Sequence, residues 1–166
     1  TVHTQPVKNA DRFWIWSADA TISSAADGSR FFRRGFDVKG AVKEATLEIT
    51  ADNHFTAWIN GKLIGSGDTW QQIERFDVAK ILQPGKNVIA VDGRNVGKGA
   101  AGLLVTLAFT DETGKQTLVS DKTWKSAPTV TGTDWRKVDF DDVKWEAAKQ
   151  LAPFGQGPWA SAYGGG

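Results

Sequence analysis

Two short stretches of the chain carry side chains suited to holding a polar ligand. The first is Ala51-Asp52-Asn53, which closes an alternating run. Its side-chain oxygens and neighbouring carbonyls suit sugar hydroxyls, or a calcium ion, which takes roughly six to eight oxygen ligands. An Asx turn between strands uses the same residues with no ligand at all. The second is Ser66-Gly67-Asp68-Thr69-Trp70-Gln71-Gln72. A tryptophan in so polar a segment offers a flat apolar face to the C–H side of a sugar ring, with an N–H donor beside it. The competing reading folds Trp70 back over the edge of the structure. Asp68 adds an acceptor to this stretch. Further along, Arg94 and Asn95 supply donors for hydroxyls, or else brace their loop.

Other chemistries fit poorly. The chain has no cysteine, which excludes disulfides, thiolate metal sites and thiol catalysis. Its two histidines, His3 and His54, cannot build a multi-histidine metal site. Gly97-Lys98-Gly99-Ala100-Ala101-Gly102 matches the spacing of a dinucleotide fingerprint. The fingerprint needs a helix directly afterwards, and Leu103-Leu104-Val105-Thr106-Leu107 reads as a strand. Asp52, Asp68, Asp92 and Glu74 are carboxylates that a glycosidase would need in pairs, but nothing in the sequence sets a pair at hydrolytic spacing. No enzyme is expected. Lys and Arg number 20 against 19 Asp and Glu, so the basic footprint of a nucleic-acid partner is absent. No run reaches the roughly 18 consecutive apolar residues of a membrane helix, and no membrane partner is expected. The chain opens at Thr1 with no charged-then-apolar leader, which reads as a segment of a secreted parent.

These residues need a scaffold, and its period is two. Residues 45–50 alternate cleanly, with Leu47 and Ile49 to one side and Glu48 and Thr50 to the other. Similar short runs occupy 13–16, 30–38, 55–59, 62–65, 75–78, 87–92, 102–110 and 117–120. Asn60-Gly61 separates two of them and is a strong hairpin signal, because both residues tolerate the positive φ of a type I′ turn. Residues 79–82 read as one helical turn, and 143–150 as another. Many short strands between turn signals indicate an all-β sandwich or barrel. At 166 residues the chain is long enough for one such domain. It divides into a core over 12–125, a closing strap over 126–163 and a flexible tail at 164–166. Trp14, Trp16, Trp58, Trp124, Trp135, Trp145 and Trp159 are assigned to core or strap, and Arg30, Arg33 and Arg34 to a solvated or ion-paired strand face.

If each consecutive strand reverses direction, four loops meet at one end: residues 17–29, Asp52-Asn53, 66–72 and 94–101. Loops held together by a rigid scaffold are where binding residues concentrate.

The order of several segments resembles a known family. They are Arg33-Arg34-Gly35-Phe36-Asp37-Val38, Ala45 through Asn53, Trp58-Ile59-Asn60-Gly61-Lys62, Phe76-Asp77-Val78 and Pro84 through Val91. Together they resemble the galactose-binding-like β-sandwich modules that accompany α-L-rhamnosidases and family 2 glycoside hydrolases, over residues 30–125. Asp139-Phe140-Asp141-Asp142 with Trp145, and Gly155-Gln156-Gly157-Pro158-Trp159, are similar to the closing segments of such modules. The resemblance implies a galactose-binding-domain-like jelly-roll sandwich acting as a non-catalytic carbohydrate-binding module of a larger glycan-active protein, secreted, periplasmic or at the cell surface. Its partners would be a mono- or oligosaccharide and the neighbouring domains. It also implies a calcium ion near the Ala-Asp-Asn position, on Asp52 and Asn53. The ligand set is Trp70, Asp52, Asn53, Asp68, Arg94 and Asn95. The alternative is a structural domain that braces a catalytic neighbour and binds no glycan.

Overall fold

Alternating apolar residues, closely spaced turns and β-branched or aromatic runs favour pleated sheet over helix throughout. The computed structural model describes residues 12–160. His3 and the expected tail at 164–166 lie outside the described residues. Twelve strands follow in order: β1 (Phe13–Trp16), β2 (Gly28–Val38), β3 (Glu44–Asp52), β4 (His54–Ile59), β5 (Lys62–Gly67), β6 (Glu74–Asp77), β7 (Gly85–Asn95), β8 (Gly102–Asp111), β9 (Gly114–Val119), β10 (Lys125–Ala127), β11 (Glu146–Ala147) and β12 (Lys149–Pro153). The described residues contain no α-helix, only short 3-10 turns at Asp134–Arg136 and Gly157–Trp159.

The strands form two antiparallel six-stranded sheets. One runs β12-β1-β8-β3-β6, with β9 also paired to β8; the other runs β11-β10-β2-β7-β4-β5. Leu47, Ile49, Leu103, Val105 and Leu107 of the first sheet pack against Phe32, Phe55, Ile59, Ile89 and Val91 of the second. This two-layer arrangement is the expected all-β sandwich.

The strap is used differently from the expectation. Residues 143–150 make no helical turn; β11 pairs with β10, and β12 pairs with β1. A single helical turn forms few hydrogen bonds for the residues it fixes. Two open sheet edges offer more, and the segment takes them. Of the two readings for Arg33, the ion-paired one holds: it pairs with Asp142 and is only 3% exposed. Its Nε donates to Asp142 at 2.9 Å, and its terminal nitrogens donate to the carbonyls of Trp135, Lys137 and Phe140. One guanidinium thereby anchors the strap over the outer face of the second sheet, above Trp58, Ala90 and Trp135. Arg30 is ion-paired with Asp19, and Arg34 donates to Thr123.

Candidate functional site

The strand registers bring the four loops to one end. Gly28 lies opposite Asn95, His54 opposite Arg94, Phe55 opposite Gly67, and Asp52 opposite Gly102. The strands run further than the sequence pattern indicated. Asp52 is the last residue of β3, and Arg94 and Asn95 close β7. A single residue, Asn53, therefore links β3 to β4, and the Asp52–Asn53 peptide is cis.

Asn53 is tied to β7 at both ends of its reach. Its backbone N–H donates to the Arg94 carbonyl at 2.9 Å, and its side-chain Oδ1 accepts the Val96 N–H at 2.7 Å. Asp52 stands on the outer face of the first sheet. Its Oδ2 accepts the indole N–H of Trp159 at 3.1 Å. Trp159 in turn stacks on Trp14, with ring centroids 4.6 Å apart. Gly102 makes room for that stack, since a Cβ there would meet atoms of both rings at 2.9 Å. Trp70 packs half-buried against the same cluster of Trp14, Leu104, Ala152 and Trp159. The Thr50 hydroxyl donates to the Thr69 carbonyl at 3.0 Å, pinning the Trp70 loop to β3.

The remaining candidates diverge. Asn95 is 1% exposed, and its amide nitrogen donates inward to the Ala25 and Gly97 carbonyls at 3.0 Å, with those of Ala26 and Gly99 slightly further away. That amide is committed to bracing the 94–101 loop against the 17–29 loop. Arg94 is exposed beside Asn53. Asp68 is exposed just past β5, and no hydrogen bond among the described residues joins it to the other five. The structure thus gathers Asp52, Asn53, Arg94 and Asn95, links Trp70 to them through Trp159, and leaves Asp68 at the rim.

Burial pushes the Asp52 carboxyl above the ordinary carboxylate range, against the Trp159 indole that favours its ionised form. No salt bridge among the described residues reaches it. A half-buried carboxylate without a cationic partner suits a hard, oxygen-seeking cation. The buried Oδ1 of Asn95 also has no hydrogen-bond partner. Among the described residues no cluster of three or more Asp, Glu, His or Cys exists. A calcium ion here would have to draw on amide and carbonyl oxygens beside the one carboxylate of Asp52.

Sequence reasoning missed Trp159, which was placed in the strap without a role at Asp52. No local signal could reveal it, because 107 positions separate the two residues. Asp92, one of the carboxylates singled out from the sequence, is half-buried on β7. Burial raises that carboxyl, opposed by a hydrogen bond with Ser29 and by the charges of Arg136 and Arg94.

No family model matches the chain. It is 35% identical over 153 residues to an α-L-rhamnosidase of Streptomyces avermitilis, covering 88% of this chain but 15% of that protein. The crystal structure of that enzyme complexed with L-rhamnose superposes with a TM-score of 0.84. A lectin from Pleurotus ostreatus, solved in complex with GalNAc, matches at 30% identity over 92% of this chain and 45% of its own, with a TM-score of 0.82. The α-L-rhamnosidase of Aspergillus terreus matches at 26% identity over 89% of this chain and 22% of its own, with a TM-score of 0.72. The chain thus spans a small part of the rhamnosidases it resembles. The fold is the galactose-binding-like β-sandwich shared with rhamnosidase domains and this lectin. No helix among the described residues is long and apolar enough to cross a membrane.

Proposed function

We propose that the chain is a non-catalytic carbohydrate-binding module of a larger, secreted glycan-active protein, and that it holds a saccharide at the Asp52 end. One observation carries this reading. A half-buried carboxylate with no cationic partner stands beside Asn53 and above a supported tryptophan cluster, at the end where four loops converge. The likeness to proteins solved with L-rhamnose and GalNAc supports the ligand class, and the 15% coverage of the rhamnosidase supports a module separate from catalysis.

In this reading Trp70 lends apolar surface to the sugar ring, Asp52 and Asn53 accept from hydroxyls, and Arg94 and Asp68 contribute at the rim. Asn95 acts indirectly, by bracing the loop that carries Arg94 and Val96. A calcium ion, where bound, is held by Asp52 and Asn53 and supplies a positive centre for vicinal hydroxyls. A shallow site of this kind buries little surface and must still desolvate hydroxyls, so its affinity is modest.

Calorimetric titration of mono- and oligosaccharides, with L-rhamnose and N-acetylgalactosamine in the panel, with and without calcium, tests the reading. Saturable binding by the parent and loss of its Asp52-end component in Asp52→Asn is the expected result. No binding to any member under either condition leaves the alternative, a domain that braces a catalytic neighbour.

A further inference from the structure

A second concavity lies at the other edge of the same end. The loop after β1 supplies Ser17 and Asp19, β2 supplies Arg30, and the strap supplies Lys144, Trp145 and Glu146. These segments enclose a cleft of about 330 Å³. That volume sits at the lower end of the roughly 300–1,000 Å³ typical of small-molecule sites. None of these residues belongs to the Asp52 site, and β7 runs between β2 and β4.

The cleft is built before any ligand arrives. Arg30 and Asp19 form an ion pair at 2.9 Å. The Ser17 hydroxyl donates to the other carboxylate oxygen of Asp19, and Arg30 also donates to the Ser29 carbonyl at 2.9 Å. These bonds fix the direction of both groups, while Asp19 keeps a side-chain exposure of 58%. The Arg30 and Ser17 hydrogen bonds hold the Asp19 carboxyl below its ordinary range, so it stays an ionised acceptor near neutral pH. The Trp145 ring is braced by Trp135 at 6.3 Å and by Phe140, edge to face, at 5.9 Å. A partly buried, pinned indole loses little side-chain freedom when a ligand rests on it.

The charges select the ligand class. Arg30 and Lys144 line the cleft together with Asp19 and Glu146, so the lining carries two positive and two negative groups. Such a balance gives no net field for a phosphate, a carboxylate or an amine. It supplies donors and acceptors in equal measure beside an aromatic surface, which matches a neutral polyhydroxyl ring with one apolar face.

We infer that this cleft is a second saccharide subsite, taking a neutral sugar unit against Trp145, Arg30 and Asp19. The inference shares its ligand class with the Asp52 reading but none of its residues. Two sites on one rigid module let a single glycan, or two neighbouring ones, engage twice, which raises the effective affinity without new contacts.

The test is a titration of the full chain, labelled with nitrogen-15, against the same neutral saccharide panel through the millimolar range. The readouts are the Trp145 indole N–H and, separately, the backbone amides of Asn53 and Val96. The expected result is a saturable shift of the Trp145 indole with at least one saccharide. Asp19→Asn then weakens that isotherm about tenfold, the scale of one charge-assisted hydrogen bond partly lost, and leaves the Asn53 isotherm where it was. Asp19 is a surface side chain, and a Lys144→Ala, Glu146→Ala double variant, also on the surface, gives an independent weakening. The proposal is overturned if no saccharide shifts the Trp145 indole, or if Asp52→Asn abolishes that shift together with the Asn53 shift. A parent in which Trp145 shifts saturably and Asn53 and Val96 do not counts against the Asp52 site and supports the cleft.

Discussion

Trp159 combines two properties that no other residue offers together, a broad face that stacks on Trp14 and an indole N–H that reaches Asp52. Trp159→Phe separates them. The stack survives and the donor goes, so the variant should lose about 1.5–3 kcal/mol in chemical denaturation, the range for a hydrogen bond to a charged group. Its saccharide affinity should fall as well, because the carboxylate is no longer held. Asp92 gives a prediction with a pH sign. Burial raises its carboxyl above the ordinary range, and the Ser29 hydrogen bond is the strongest influence pulling it back. A carboxyl raised on folding contributes stability that is fully present below its unfolded pKa and lost as pH rises through the folded value. Ser29→Ala should move the Asp92 titration further up. Its cost in stability should therefore be visible near neutral pH and fade in acid. A cost that is equal at both pH values contradicts the assignment.

At the scale of elements, the sandwich depends on what covers its two outer faces. The first is covered by the Trp14–Trp159 stack, which Gly102 on β8 admits by having no side chain. Gly102→Ala puts a methyl against two rings and should cost about 1–3 kcal/mol, the usual penalty of overpacking. The second is covered by the strap that Arg33 anchors. Arg33→Ala leaves three carbonyls without their donor and Asp142 with Lys125 as its remaining cation, so a loss of about 1–3 kcal/mol is expected. Hydrogen exchange should rise first at residues 134–145, ahead of β3 and β8.

These same elements show how far the sequence could be read. Local pattern was enough for most strands. Leu47 and Ile49 do face the core, and Asn60 and Gly61 do take the positive φ values, 53° and 81°, of the hairpin turn. The convergence of loops followed from strand parity. The strap was not legible, because β11 and β12 exist only where the edges of β10 and β1 receive them. Nor was the buried state of Arg33, whose partners lie more than 100 positions away. At the site, residue types pointed to Asp52 and Asn53, while the inward turn of Asn95 and the reach of Trp159 depend on tertiary packing alone.

At the scale of the whole molecule, the chain is a sandwich without cysteine and with one net positive charge, held by packing on three faces. Such a rigid body changes little on binding and offers its loop end ready-made. The central claim is that this end holds a saccharide at Asp52. It is tested most directly by titrating the parent, Asp52→Asn and Trp70→Ala with the same saccharide panel, with folding of each variant checked by its thermal transition. The expected result, read at the Asn53 and Val96 amides, is a parent Kd between about 1 μM and 1 mM, equivalent to about −8 to −4 kcal/mol, with binding at these amides lost in Asp52→Asn and weakened at least about tenfold in Trp70→Ala. Folded variants that bind every saccharide as well as the parent does would contradict it.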